Sequence, residues 1–210
     1  ALLAELAAAR SIPLLHISTD YVFDGKLDRP YREDDPVGPL GVYGSSKLAG
    51  ELAVRAAAPR HIILRTAWVV STYRNNFLKT MLRLAAERPE LSVVADQFGC
   101  PTGAHDIADA LRTMALAHLT TTDAPSGTYH FVNAGSTSWY GLAEAIMLAS
   151  KQCGGPHVPV RPIGSADYPQ RASRPANSRL ATDRIARDFA IRPRPWQTAI
   201  TEIVSEYLAP

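Results

Sequence analysis

The sequence predicts an α/β fold built on a doubly wound parallel sheet, and three observations carry that reading. Short apolar runs at 12–18, 61–66, 91–95 and 128–132 alternate with longer stretches of helical period, the order expected when each strand feeds a crossover helix. The first two runs are apolar nearly throughout instead of alternating, as in strands covered on both faces. The 210 residues are 46% hydrophobic, enough for one medium domain or one domain with a small lobe.

Residues 2–10 carry Ala and Leu at helical spacing, and 12–18 form the first strand, expected to be buried. Residues 19–41 are rich in Pro, Gly and Asp, with turns at Asp24-Gly25 and Pro30. A loop of this length after a strand end favours a substrate-facing role. Residues 42–58 are the next helix, ended by Pro59, with Leu48, Ala49 and Leu52 as its expected packing stripe. The strand 61–66 follows, with Ala67 and Trp68 beyond its end. By residue type alone, Trp68 suits either stacking on a ligand or core burial.

Residues 76–87 have the period of an amphipathic helix with Phe77, Met81, Leu82 and Leu84 inward. Residues 91–95 form a strand before the turn-rich 96–102, and 105–119 a helix with Asp106 and Asp109 near its positive end. After the polar linker 120–126 comes the strand 128–132, then Ser138, placed to cap a helix over 139–151 that Gly154-Gly155-Pro156 breaks. Residues 158–163, interrupted by Pro159 and Pro162, fit an edge strand. The stretch 164–178 reads as loop, and helices over 182–189 and 197–208 close the chain, which has no internal repeat.

Charge excludes some partners. The formal net charge is +2 with basic residues scattered, so no stripe for nucleic acid is present. The densest basic stretch, Arg171 to Arg194, is equally consistent with a solvated surface and with recognition of an anionic substrate. Cys100 and Cys153 are far apart, which fits free thiols in a reducing compartment. The six histidines do not cluster and no metal-ligand spacing occurs. No signal peptide and no apolar run of bilayer length is seen. The expectation is a cytoplasmic protein not bound to membrane and without metal-ligating residues of its own, use of a divalent cation being left open.

Chemistry concentrates in two stretches, Ile17 to Gly25 and Val42 to Leu48. Tyr43 and Lys47, four residues apart, project from one helix face, so phenol and ammonium can enter one cleft. A free phenol has a pKa of about 10. A neighbouring ammonium favours the phenolate and brings Tyr43 toward use as a proton donor. Thr19 ends an apolar run, where open parallel sheets place their ligand crevice, and its hydroxyl can reach the same substrate oxygen. That is the layout of a hydride-transfer site.

Ser18-Thr19-Asp20-Tyr21-Val22-Phe23-Asp24-Gly25, Pro30-Tyr31, Glu33 and Val42-Tyr43-Gly44-x-x-Lys47-Leu48-x-Gly50-Glu51 closely resemble the extended short-chain dehydrogenase/reductases. Arg65-Thr66-Ala67-Trp68-Val69, Asn75-Asn76-Phe77, Asp96-Gln97-Phe98-Gly99-x-Pro101-Thr102-Gly103 and Arg174-Pro175-x-Asn177-Ser178-x-Leu180 extend the match, nearest to the dTDP-4-dehydrorhamnose reductases among them, over nearly the whole chain. The resemblance implies a Rossmann-like sheet, NADPH or NADH, and reduction of the 4-keto group of a dTDP-linked 6-deoxy-L-sugar. By it, Tyr43 gives the proton, Lys47 holds the nicotinamide ribose and tunes Tyr43, and the Ile17 backbone meets the cofactor. Thr19, Asp20 and Trp68 touch the sugar, and Arg174 is placed for the diphosphate, which suits a guanidinium fork.

The sequence departs from the family in one place. The glycine-rich turn Gly-x-x-Gly-x-x-Gly that holds the cofactor pyrophosphate is absent. The chain therefore reads as lacking the first part of the nucleotide-binding half. Residues 1–66 would be the later half of that unit, and 67–210 its remainder interleaved with a substrate-binding lobe. The expectation for such a chain is weak cofactor binding unless a homodimer or another chain completes the sheet. Dehydratase relatives carry an Asp-Glu pair after the Thr, whereas Tyr21 stands in the second place here. Epimerization, and a non-catalytic role like that of the regulatory subunit of methionine adenosyltransferase, are the competing functions.

Overall fold

A computed structural model describes residues 1–168 and 174–209. Its elements run α1 (Leu2–Ala9), β1 (Leu14–Thr19), a 3-10 turn (Asp20–Val22), α2 (Val42–Ala57), β2 (His61–Thr66), β3 (Val69–Val70), α3 (Phe77–Glu87), β4 (Leu91–Val94), β5 (Phe98–Gly99) and β6 (Thr102–Gly103). They continue with α4 (Ala104–Thr120), β7 (Gly127–His130), β8 (Thr137–Ser138), α5 (Trp139–Gln152), β9 (Val160–Ile163), β10 (Asn177–Ser178), α6 (Asp183–Phe189) and α7 (Trp196–Leu208). The two long apolar runs and the later one at 127–130 pair in parallel, in the order β1-β2-β7. Ser18 lies opposite Arg65 and Thr19 opposite Thr66, so the polar ends of β1 and β2 stand side by side.

Ile62 and Leu64 of β2 pack with Tyr129, Ile107, Met114 and Ile185 on one face of this sheet. Ile63, alternating to the other face, meets Ala4, Val54 and Ala58. A separate core joins α3, α5 and α7 through Leu78, Leu82, Leu142, Ile146, Ile203 and Val204. Beside it β4 pairs in parallel with β9, whose two central residues, Arg161 and Pro162, are exposed as expected of a proline-bearing edge. Short pairings link the two halves: β3 with β6, and β10-β5-β8.

Four expectations change. The strand β1 is only half-buried, with Ile17 47% exposed, because it is the sheet's edge and has only β2 beside it among the described residues. On α2, Ala49 and Leu52 face outward and the buried positions are Gly44, Glu51 and Val54; the helix is turned so that Glu51 meets Arg65 beneath it. On α3 the innermost places belong to Leu78, Met81, Leu82 and Ala85, with Phe77 and Leu84 at their margin. The expected loop 164–178 contains a 3-10 turn at Ser165–Asp167 and β10; its residues 169–173, Arg171 among them, lie outside the described residues.

Candidate active site

The first turn of α2 packs directly on the 3-10 turn that follows β1. A Cβ at position 44 would overlap the Tyr21 carbonyl oxygen, so glycine permits this approach and sets where Tyr43 stands. The Tyr43 ring meets Tyr21 edge-on, with centroids 5.8 Å apart and planes at 84°, and is 57% exposed. One turn later Lys47 Nζ donates to the Ile17 carbonyl oxygen at 2.6 Å. A further turn on, the Glu51 carboxylate accepts from Ser18 Oγ at 2.6 Å, from Arg65 at 2.9 and 2.7 Å, and from Arg55 at 2.9 Å. Burial acts against that carboxylate, yet the Arg65 hydrogen bonds and charge, with Ser18 and Arg55, hold it below its ordinary pKa.

Beyond the ends of β1 and β2 lies a cavity of about 420 Å³. Ile17, Thr19, Asp20, Tyr43, Trp68 and Arg174 all line it. Thus six of the seven residues singled out from sequence converge, and Lys47 stands behind them on the strand end. The Thr19 hydroxyl donates to Asp20 Oδ1 at 3.1 Å and accepts from the Tyr21 amide at 3.2 Å. To donate to a substrate oxygen it must exchange Asp20 for the substrate.

Burial pushes the Asp20 carboxyl up to about 6, against hydrogen bonds from Ser178 and Thr19. Among the described residues Asp20 Oδ2 and Thr66 Oγ1 are buried without a hydrogen-bond partner, and both residues line the cavity. Each such atom costs about 1–3 kcal/mol when left unpaired. The cavity floor is therefore built to receive hydrogen-bonding groups of a polyol or similar ligand.

One wall is aromatic. Trp68 has a positive φ of 48° and stacks on Trp139 with centroids 3.5 Å apart and planes at 10°. A side chain at Gly99 would overlap the Trp68 ring. Arg174 lies 5.9 Å from the Trp139 centroid, and Phe77 4.7 Å from it. Trp68 is thus packed against Trp139 and at the same time lines the cavity. A second cavity of about 450 Å³ adjoins, sharing Phe77, Trp139 and Arg174. Sequence reasoning missed Tyr21, Thr66, Asn75 and Trp139 as lining residues; the one signal for Trp139 was a bulky aromatic directly after the Ser138 cap.

The nicotinamide end of a dinucleotide fits these residues. Ile17 is open at the sheet edge, Tyr43 faces the cavity and Lys47 stands one turn behind it. Nothing in the sequence supplies the glycine-rich pyrophosphate cradle. Among the described residues no group of three or more His, Cys, Asp or Glu is placed to hold a metal, and no helix is long and apolar enough to cross a membrane.

The family described as RmlD substrate binding domain matches residues 1–209. The chain belongs to this family. It is 47% identical to a dTDP-4-dehydrorhamnose reductase of Sinorhizobium fredii, over 96% of the chain and 69% of that protein. A crystal structure of the Bacillus anthracis dTDP-4-dehydrorhamnose reductase in complex with NADP superposes with a TM-score of 0.88 at 33% identity, covering 97% of this chain and 69% of that one. For a Clostridium acetobutylicum dTDP-4-dehydrorhamnose reductase the TM-score is 0.89 at 34% identity, with 99% and 70% covered. This RmlD-family chain is therefore an α/β protein of Rossmann-like architecture, similar to about two thirds of the length of these reductases.

Proposed function

We propose that the protein reduces the 4-keto group of a dTDP-4-dehydro-6-deoxy-L-sugar, dTDP-4-dehydrorhamnose, to the alcohol of dTDP-L-rhamnose, using NADPH or NADH. The observation that carries the reading is the convergence of Tyr43, Thr19, Asp20, Trp68 and Arg174 on one cavity above the Lys47 strand contact, in a chain 47% identical to a protein of that name. The bound nicotinamide supplies the reducing equivalent to the carbonyl carbon.

The chain's own residues do the rest. Charge develops on the carbonyl oxygen as the carbon is reduced, and the Tyr43 phenol at the cavity mouth donates the proton that neutralizes it. Lys47 steadies the helix against the Ile17 carbonyl and provides positive charge near the cofactor ribose. Asp20 and Thr66 offer their unpaired oxygens to sugar hydroxyls, and Trp68 supplies an apolar face for the ring. Arg174, beside the second cavity, suits the diphosphate. Tyr21, in place of a second acid, leaves no carboxylic acid there for dehydration.

Residues 1–66 are read as the later half of the nicotinamide-binding unit and 67–210 as its remainder interleaved with the substrate lobe. The return of β7 to the sheet of β1 and β2, with α3, α5 and α7 on a core of their own, supports this division. The unpaired thiols of Cys100 and Cys153 suit a reducing, cytoplasmic setting. The test is NADPH oxidation followed at 340 nm with enzymatically prepared dTDP-4-dehydrorhamnose. Stoichiometric oxidation with formation of dTDP-L-rhamnose supports the reading. Conversion of the sugar with no net oxidation would establish an epimerase, and absence of both under conditions where calorimetry shows NADPH bound would overturn an enzymatic role.

A further inference from the structure

Tyr43, Lys47 and Glu51 follow one another at four-residue intervals on α2, yet only Tyr43 lines the cavity, with Lys47 behind it on the end of β1. Glu51 is wholly buried, and it belongs to none of the groups assigned to the reaction. Its carboxylate joins three elements. Oε1 accepts from Ser18 Oγ of β1 at 2.6 Å and from Arg65 Nε of β2 at 2.9 Å, while Oε2 accepts from a terminal Arg65 nitrogen at 2.7 Å and from Arg55 at 2.9 Å. Arg55 also donates to Thr128 of β7 at 3.2 Å.

The two helix contacts fall on consecutive residues of β1. Lys47 grips the carbonyl of Ile17 and Glu51 grips the hydroxyl of Ser18; the next residue is Thr19. The helix that carries Tyr43 is therefore held to the strand that carries Thr19 at two heights, one charge-assisted bond per turn. Arg65 sits opposite Ser18 in register, is 1% exposed, and grips Glu51 through two guanidinium nitrogens. That fork fixes the carboxylate in plane as well as in place. The second contact, one turn from Lys47, fixes the height of α2 along β1 beyond what its apolar packing sets.

We infer that Glu51 is a positioning residue for the reaction, holding Tyr43 in line with Thr19 through a Ser18–Glu51–Arg65 clamp. This rests on the reductase reading above. The geometry does not require the clamp for folding alone, since Ile63, Val54 and Ala58 already pack α2 to the sheet.

The test uses Ser18→Ala, which removes one hydroxyl and no charge, alongside Ser18→Thr, which restores a hydroxyl, and Glu51→Gln. Kinetics with NADPH and dTDP-4-dehydrorhamnose, thermal midpoints, and amide hydrogen exchange at 17–20 and 43–48 are read for each. Displacements on the order of 1 Å cost up to about 100-fold in rate. The expected result for Ser18→Ala is a kcat lower by at least about 10-fold with KM nearly unchanged, a thermal midpoint lower by only the several degrees that loss of one buried hydrogen bond costs, and faster exchange confined to those two segments. Ser18→Thr recovers most of the rate, and Glu51→Gln changes kcat in the same direction. A Ser18→Ala kcat within twofold of the parent overturns the inference, as does parallel loss of kcat, KM and midpoint without rescue by Thr. If the parent binds NADPH and still shows no turnover, the functional reading fails. The exchange data then decide the clamp, with unaltered exchange at 43–48 counting against it.

Discussion

Replacing Arg65 by Met isolates the energetics of the buried pair under the helix that carries Tyr43. Glu51 has no exposed surface and Arg65 is 1% exposed, so Met fills the volume but leaves a carboxylate in a dry site. Breaking a buried pair by removing one partner costs about 3–5 kcal/mol. Ser18 and the half-exposed Arg55 still reach Glu51, which places the expected loss at the low end, about 3 kcal/mol. For a chain of this size each kcal/mol moves the thermal midpoint by about 2–4 °C, giving a fall of about 6–12 °C. Urea unfolding followed by circular dichroism, with parent and variant at one pH and salt, measures it directly. The double variant Glu51→Leu/Arg65→Met should recover much of the loss, with a coupling energy of at least about 2 kcal/mol. A single-variant cost below about 1 kcal/mol, or strict additivity in the double, would refute the claim that the two charges compensate each other.

Other perturbations read other parts of the site. The native Asp20 carboxyl, held up to about 6 from 3.8, binds its proton more tightly than the unfolded chain does. Stability therefore falls as pH rises through that window and stays lower above it. Asp20→Asn removes this penalty, so the variant should be more stable than the parent above pH 6 by up to about 3 kcal/mol. The advantage should shrink as pH falls toward 4, which urea midpoints from pH 4 to 8 will show. Gly44→Ala forces α2 off the Tyr21 carbonyl; overpacking costs about 1–3 kcal/mol, and kcat should fall with it, by stopped-flow cofactor oxidation.

Much of the sheet was legible because its strands are short apolar runs that end in polar residues, and β2 came out at the expected His61–Thr66. The placing of Tyr43 on a helix one loop after Thr19 was legible for the same reason. The packing face of α2 was not. A glutamate at 51 and a glycine at 44 carry no apolar signal, although they are the buried positions, and Leu52 reads as core while lying 55% exposed. The two-residue pairings β5, β6, β8 and β10 are too short to leave a period in sequence. Tyr21 was weighed only for the acid it is not, whereas its ring orients Tyr43 and lines the cavity. Trp139 looked like a helix start because its stacking partner lies 71 positions earlier, at Trp68.

The central claim is that Tyr43 donates the proton during reduction of the sugar ketone. The most direct measurement is single-turnover reduction of dTDP-4-dehydrorhamnose by the parent and by Tyr43→Phe, with the NADPH dissociation constant of each determined by fluorescence. Loss of a positioned acid typically costs about 10²–10⁴-fold. The account predicts a rate loss of that size with cofactor affinity held within a few-fold; a Tyr43→Phe rate equal to that of the parent would contradict it.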